Sequence, residues 1–183
     1  MLVLGLVGGS VITWNVLGSV RLPGTVSYGP WVVWPKAGTL DADPYSRAFF
    51  AKRGDIPMSP AEGLAFFAFN DQSGEALRGQ CHYRIAGAFP TARAWTLAVY
   101  RLDGRIVTNP AGRMAFTSAE AIVEDGITRI ALSTTPEPGN WLPVTDKERF
   151  VLALRFYDTP LSAIASVLEA AKLPTFERLG CSP

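Results

Sequence analysis

His82 is the single histidine of this 183-residue chain, and it lies in the string Leu77-Arg78-Gly79-Gln80-Cys81-His82-Tyr83-Arg84-Ile85. Imidazole is the side chain whose unperturbed pKa falls near neutrality, so His82 is the default general base if this chain does acid–base chemistry. No G-x-S-x-G string or other nucleophile signature accompanies it. The string has a period of two, which sets Leu77, Cys81, Tyr83 and Ile85 on one face of a strand and Arg78, Gln80, His82 and Arg84 on the other. The second face is wet. Guanidinium groups suit bidentate contacts with carboxylate or phosphate, so Arg78, Arg84, Arg113 and Arg155 could gather into an anion-binding surface. The plainer reading is a solvated polar face that guards a sheet against edge pairing.

Asn140-Trp141 stands in the proline-rich stretch Pro136 to Pro143, where a large aromatic either caps a core or stacks on a ligand such as a sugar. The expected ligand site is therefore His82, Arg84, Asn140, Trp141 and Arg155, converging where the Arg78 to Arg84 strand face approaches the last strand and this loop. Its occupant would be a small anion, a sugar or an envelope protein. Asp41 and Asp43 form a D-x-D pair, but hard cations usually take more than two such ligands, and helix capping accounts for Asp43. Cys81 and Cys181 have no His or Cys near them at zinc-ligand spacing, so no metal site is expected; in an exported domain they could pair as a disulfide. No cofactor motif is present. Seventeen basic against sixteen acidic residues, without a Lys or Arg run, argue against nucleic acid as a partner.

The elements that must position these residues begin after an uncharged stretch. Met1 to Val20 carries no charge, and its apolar bulk is diluted by Gly5, Gly8, Gly9, Gly18 and Asn15. About twenty such residues match a bilayer core, so 1–20 reads as a hydrophobic helix that anchors the chain or serves as a signal segment. Arg21, the first charge, lies on the C-terminal side, which by itself would hold the domain in the cytoplasm. Residues 21–38 read as a connector and first extended segment, and 39–183 as one domain.

Within that domain, Asp43-Pro44 predicts a capped helix over Tyr45 to Lys52 closed by Gly54, and Ser59 to Glu62 a capping box. Strands are expected at Leu64 to Phe69, Leu77 to Ile85, Ala94 to Leu102, Arg105 to Thr108, Ala121 to Val123, Ile127 to Ser133 and Arg149 to Tyr157, with hairpin turns at Asp103-Gly104 and Asp125-Gly126. Thr159-Pro160 opens an amphipathic helix striped by Leu161, Ile164, Leu168 and Ala171. Short strands without βαβ alternation predict a mainly β fold of two packed antiparallel sheets, with short N-terminal helical turns and a C-terminal helix.

Several strings occur together in order: Gly38-Thr39-Leu40-Asp41-Ala42-Asp43-Pro44-Tyr45, Ala61-Glu62-Gly63-Leu64, Asn109-Pro110-Ala111-Gly112-Arg113, Asn140-Trp141-Leu142-Pro143 and Leu154-Arg155-Phe156-Tyr157. In them the chain resembles the bacterial family catalogued as domain of unknown function 1214, from about Trp31 to about Pro160. The resemblance implies a jelly-roll-like β-sandwich found in envelope proteins, in short members behind a single hydrophobic leader. It implies export, against the reading from Arg21, and so an inner-membrane protein with its domain in the periplasm, or one secreted there after leader cleavage. It supplies no substrate and no catalytic residue. The function expected is a membrane-anchored envelope module that binds a ligand or protein; the alternative is a hydrolase or lyase acting on an envelope polymer or small anion.

Overall fold

The computed structural model describes residues 2–18, 24–145, 148–162 and 173–182. Helix α1 (Leu2–Gly18) is followed by strands β1 (Val26–Tyr28) and β2 (Trp31–Val33), helix α2 (Pro44–Arg53), and β3 (Gly63–Ala68), β4 (Cys81–Gly87) and β5 (Ala94–Arg101). Then come β6 (Ala115–Thr117), β7 (Val123–Glu124), β8 (Ile127–Ser133), β9 (Asn140–Pro143), β10 (Phe150–Tyr157) and β11 (Thr175–Cys181). The chain is mainly β. One sheet has the order β1-β2-β3-β10-β5-β6, and the other β11-β4-β8-β7 with β9 also paired to β8.

The two sheets share one core, because alternate residues of each point at the other. Phe66, Leu97, Leu152, Leu154 and Phe156 of the first sheet meet Cys81, Tyr83, Ile85, Ile130, Leu132 and Phe176 of the second. Rings cross the gap edge to face, Tyr83 with Phe150 at 5.9 Å and Trp31 with Phe176 at 5.7 Å. Within the connector and first extended segment expected at 21–38, β1 and β2 belong to the first sheet, and Trp31 and Val33 are core residues at 1% and 0% exposure.

The first sheet is apolar on its outer face too, and α2 is the reason. Val32, Phe67, Val151 and Ala153 pack there against Trp34 and Phe50. Asp43 caps the helix as predicted, its Oδ1 accepting from the Tyr45 and Ser46 amides at 3.0 Å. At the other end Gly54 takes a left-handed conformation, and the Gly54 and Asp55 amides donate to the Ala51 and Phe50 carbonyls. That closing turn aims Asp55 back at the sheet. At Gly63 a Cβ would lie 2.0 Å from the Phe156 carbonyl oxygen, so only glycine lets β3 begin against β10.

Four expectations change. Pairing is antiparallel except between β8 and β9, which run parallel from Ile130–Asn140 to Ser133–Pro143, because the six residues 134–139, with Pro136 and Pro138, carry the chain back before it re-enters the sheet. Arg105 to Thr108 forms only the bridge Tyr100–Ile106, and β5 takes β6 as its neighbour instead. After the described residues Pro160–Ser162, which form a 3-10 turn, the stripe Ile164, Leu168 and Ala171 of the expected helix lies outside the described residues, and Thr175–Cys181 forms a further strand, β11, that was not expected. Finally, α1 rises about 26 Å over its 17 residues against about 30 Å of bilayer core, and among the described residues no helix is long and apolar enough to cross a membrane.

Candidate functional site

Strand β4 lies between β11 and β8. Cys81, Tyr83 and Ile85 are buried in the core, so His82 and Arg84 face outward from the second sheet. Register then builds a row across that face: Glu177 pairs with Arg84, Arg84 with Ala131, and Ala131 with Trp141. Adjacent strands lie about 4.8 Å apart, which separates the Arg84 and Trp141 backbones by about 10 Å. Arg84 is exposed and makes no side-chain hydrogen bond or ion pair among the described residues.

Trp141 is half-buried. Its indole Nε1 donates to the Ser133 carbonyl at 3.2 Å, and its own carbonyl accepts from Arg113 Nη1 at 3.0 Å. Glu137, on the loop leading into β9, sets Oε1 3.6 Å from His82 Nδ1, with 34% and 36% of the two side chains exposed. The face thus combines an indole, an exposed guanidinium and an imidazole–carboxylate pair, groups able to stack on a sugar ring and to grip an anion. The described partner of His82 is thus a carboxylate at Nδ1.

Asn140 and Arg155 do not join this face. Asn140 points into the edge of the sandwich, where Oδ1 accepts from the Ile122 amide (2.8 Å) and Nδ2 donates to the Ile122 (2.8 Å) and Arg129 (2.9 Å) carbonyls. It clamps the 119–122 loop to β8. Arg155 lies on the outer face of the first sheet, since its neighbours Leu154 and Phe156 are core residues. His82 and Arg155 are therefore on opposite sides of the sandwich, and the expected convergence does not occur. Alternation told which residues turn outward but not which sheet each strand would join.

Around Arg155 a part-buried network fills the seam under α2. Arg155 Nη2 reaches both oxygens of Asp55 at 3.2 and 3.3 Å, Nη1 donates to the Tyr100 hydroxyl at 3.1 Å, and the guanidinium lies 5.2 Å from the Tyr100 ring. Arg53 sits across the Phe67 ring and donates to the Leu102 carbonyl at 2.8 Å. Burial pushes the Arg53 guanidinium down from its ordinary pKa, the neighbouring Asp55 acts against that shift, and Arg155 adds to it. The cleft beside Trp34, Asp55 and Arg155 has room for about 10 Å³, near the size of one water. Its Asp55 and Arg155 are engaged with each other, while the buried Trp34 Nε1 has no hydrogen-bond partner among the described residues.

The remaining candidates are structural. Arg113 stacks over Phe116 at 5.1 Å, and Arg78 is exposed at a bridge to Arg149. Asp43 is the helix cap, and among the described residues no group of three or more His, Cys, Asp or Glu is placed to hold a metal. Cys81 and Cys181 are joined in a disulfide between directly opposed residues of β4 and β11. Glu137 and Glu177 were not foreseen; the alternation of Thr175, Phe176 and Glu177 after Pro174 is the signal that could have found β11 and its outward carboxylate.

With this geometry in hand, the chain can be set beside known proteins. The family model described as "Protein of unknown function (DUF1214)" matches residues 62–161, over half of the sequence. The chain belongs to this family. The DUF1214 segment spans β3 to β10 and so contains His82, Arg84, Glu137 and Trp141, but neither helix and not β11. Among solved structures, the VPA0106 protein from Vibrio parahaemolyticus is similar at 20% identity with a TM-score of 0.62, over 96% of this chain and 43% of that one. That likeness bears on the fold alone, and the chain spans less than half of the Vibrio protein. An uncharacterised protein from Burkholderia cenocepacia is similar at 21% identity with a TM-score of 0.43, over 67% of this chain and 30% of that one. No curated protein matches.

Proposed function

We propose that this DUF1214 protein is a non-catalytic binding module of the bacterial envelope, jelly-roll-like in architecture, which takes a sugar or small anion on the outer face of its second sheet. The observation that carries this reading is the row Glu177–Arg84–Ala131–Trp141 beside the His82–Glu137 pair, in which the Arg84 side chain has no hydrogen-bond or ion-pair partner among the described residues. Of the other candidates, Asp43 is spent on capping α2, Asn140 on clamping Ile122 to β8, and Arg155 on Asp55 and Tyr100. A disulfide persists in an oxidising compartment, which supports a periplasmic domain. The uncharged stretch that forms α1 supports attachment to the inner membrane.

The test is a thermal-shift screen of envelope sugars, carboxylates and phosphates. A ligand of the folded state stabilises by about 2.7 kcal/mol at a hundred times its dissociation constant. Arg84→Ala and Trp141→Ala should each abolish the shift that a hit produces. If both variants kept the full shift, this face would not be the site.

A further inference from the structure

The two most exposed large apolar side chains of the described residues are Leu40 at 95% and Ile56 at 87%, on the loops at the two ends of α2. Neither is a loose end. Arg47 of α2 donates from Nη2 to the Leu40 carbonyl at 2.7 Å and from Nε to the Ala42 carbonyl at 3.0 Å, and Thr39 Oγ1 donates to the Lys36 carbonyl at 2.8 Å. Asp55, the residue before Ile56, is held by Arg155. The two loops also abut, because a Cβ on Gly38 would lie 2.4 Å from the Met58 carbonyl oxygen. Hydrogen bonds thus fix the backbone of both loops while their leucine and isoleucine stand in water, a cost that the core does not repay.

The charges around them have a sign. Lys36, Arg47 and Lys52 are exposed, and α2 contains no acidic residue; Asp41 is the exposed carboxylate on the first loop, and Glu62 follows the second. Helix α1, uncharged and apolar around its circumference, comes close to α2, so the segment read as the membrane attachment is on this side of the domain. Apolar tips that share the α2 side with the exposed Lys36, Arg47 and Lys52, beside a membrane attachment, match the chemistry of an anionic lipid surface. We propose that the α2 side of the domain rests on the bilayer, with Leu40 and Ile56 entering the boundary between headgroups and acyl chains and Lys36, Arg47 and Lys52 meeting lipid phosphates. This rests on the reading that α1 holds the chain at a membrane, and it leaves the outer face of the second sheet turned away from the lipid and open to ligand.

The experiment uses the full chain with single cysteines, Leu40→Cys or Ile56→Cys, carrying an environment-sensitive fluorophore; the native cysteines are bonded to each other and do not react. Asp125→Cys, on the β7–β8 turn of the second sheet, is the control. The protein is bound to phosphatidylcholine vesicles with and without phosphatidylglycerol, and quenched by lipid spin-labelled near the top of its acyl chain. Labels at 40 and 56 should be quenched, as expected for side chains about 5–10 Å into the boundary, and the label at 125 should not. Loss of that quenching when phosphatidylglycerol is omitted would support the basic residues' part. If the chain floats with the vesicles while positions 40 and 56 respond like 125, the docking surface is overturned and the attachment through α1 stands. If the chain does not float, both fail. Mutual protection of the labels at 40 and 56 in vesicle-free solution, rising with protein concentration, would assign the surface to a second copy and overturn the proposal.

Discussion

Arg155 of β10 and Asp55, just beyond the C-terminus of α2, form an ion pair at 3.2 Å with 13% and 20% of their side chains exposed. The pair ties helix to sheet in a seam that also holds Arg53, whose guanidinium lies 6.0 Å from the Phe67 ring centroid against 5.9 Å for that of Arg155. Removing one partner of a buried pair leaves the other charge without compensation. Asp55→Ala should therefore cost about 3 kcal/mol in urea unfolding at neutral pH, the more so because Arg53 and Arg155, which disfavour each other's charge, would then share the seam without the carboxylate that offsets them. Replacing both partners, Asp55→Ala with Arg155→Met, should recover much of that loss. Equal midpoints for the single and double variants would show that the charge is not what holds α2.

The disulfide gives a second prediction. It closes a separation of 100 residues and fastens the edge strand β11, whose Phe176 fills the core between Trp31 and Tyr83. A cross-link over so long a loop restricts the unfolded chain and stabilises by about 2 to 5 kcal/mol. Adding reductant should lower the melting temperature, and a Cys81→Ala, Cys181→Ala variant should start from the lower value and not respond. A reductant-independent melting temperature in the native protein would contradict this.

Local chemistry was legible in the sequence where a short range of residues decides it. The Asp43 cap, the Gly54 stop, the Asp125-Gly126 hairpin and the inward set Leu77, Cys81, Tyr83 and Ile85 all stand where alternation and turn residues put them. What failed was non-local. Val151 and Ala153 are apolar on the outer side of β10, which marks a sheet covered on both faces. That signal separates β10 from β4, whose outer residues are His82 and Arg84, and would have placed Arg155 under a helix and away from His82. Strand β11 was hidden by the helical stripe expected upstream and by a bulge between Arg178 and Gly180 that interrupts its alternation.

Asp71 makes acid stability a third test. Burial alone would raise its pKa, but the Ser73 hydroxyl, the Glu75 and Ser73 amides and the Arg178 guanidinium hold it below the ordinary aspartate value. A carboxyl with a depressed folded pKa contributes stability above its unfolded pKa of about 3.9 and loses it as pH falls through the folded value. The native protein should lose stability on acidification below about pH 4, and Asp71→Asn should flatten that limb while lowering stability at neutral pH. Parallel acid limbs for the two proteins would place the acid sensitivity elsewhere, with Asp43 the next candidate because its capping bonds lower its pKa in the same direction.

Asn140 and Arg84 were expected to serve one ligand, but the structure turns Asn140 into the sandwich edge and Arg84 outward, and a pair of variants can separate them. Asn140 is 7% exposed and satisfies the backbone of Ile122 and Arg129, so Asn140→Ala strips buried groups of their partners and should cost about 2 kcal/mol. Arg84 stands in solvent opposite Glu177, and Arg84→Ala should change stability by no more than about 0.5 kcal/mol. Ligand binding should show the reverse ranking. The Asn140→Ala protein, though less stable, should keep the melting shift that a sugar or anion produces, because its side chain is turned into the sandwich edge. Arg84→Ala should lose the shift with its baseline intact. If instead Asn140→Ala abolished the shift at temperatures where the protein is still folded, the ligand would bind at the loop edge near Ile122 and Arg129, and the outer face of the second sheet would have to be given up as the site.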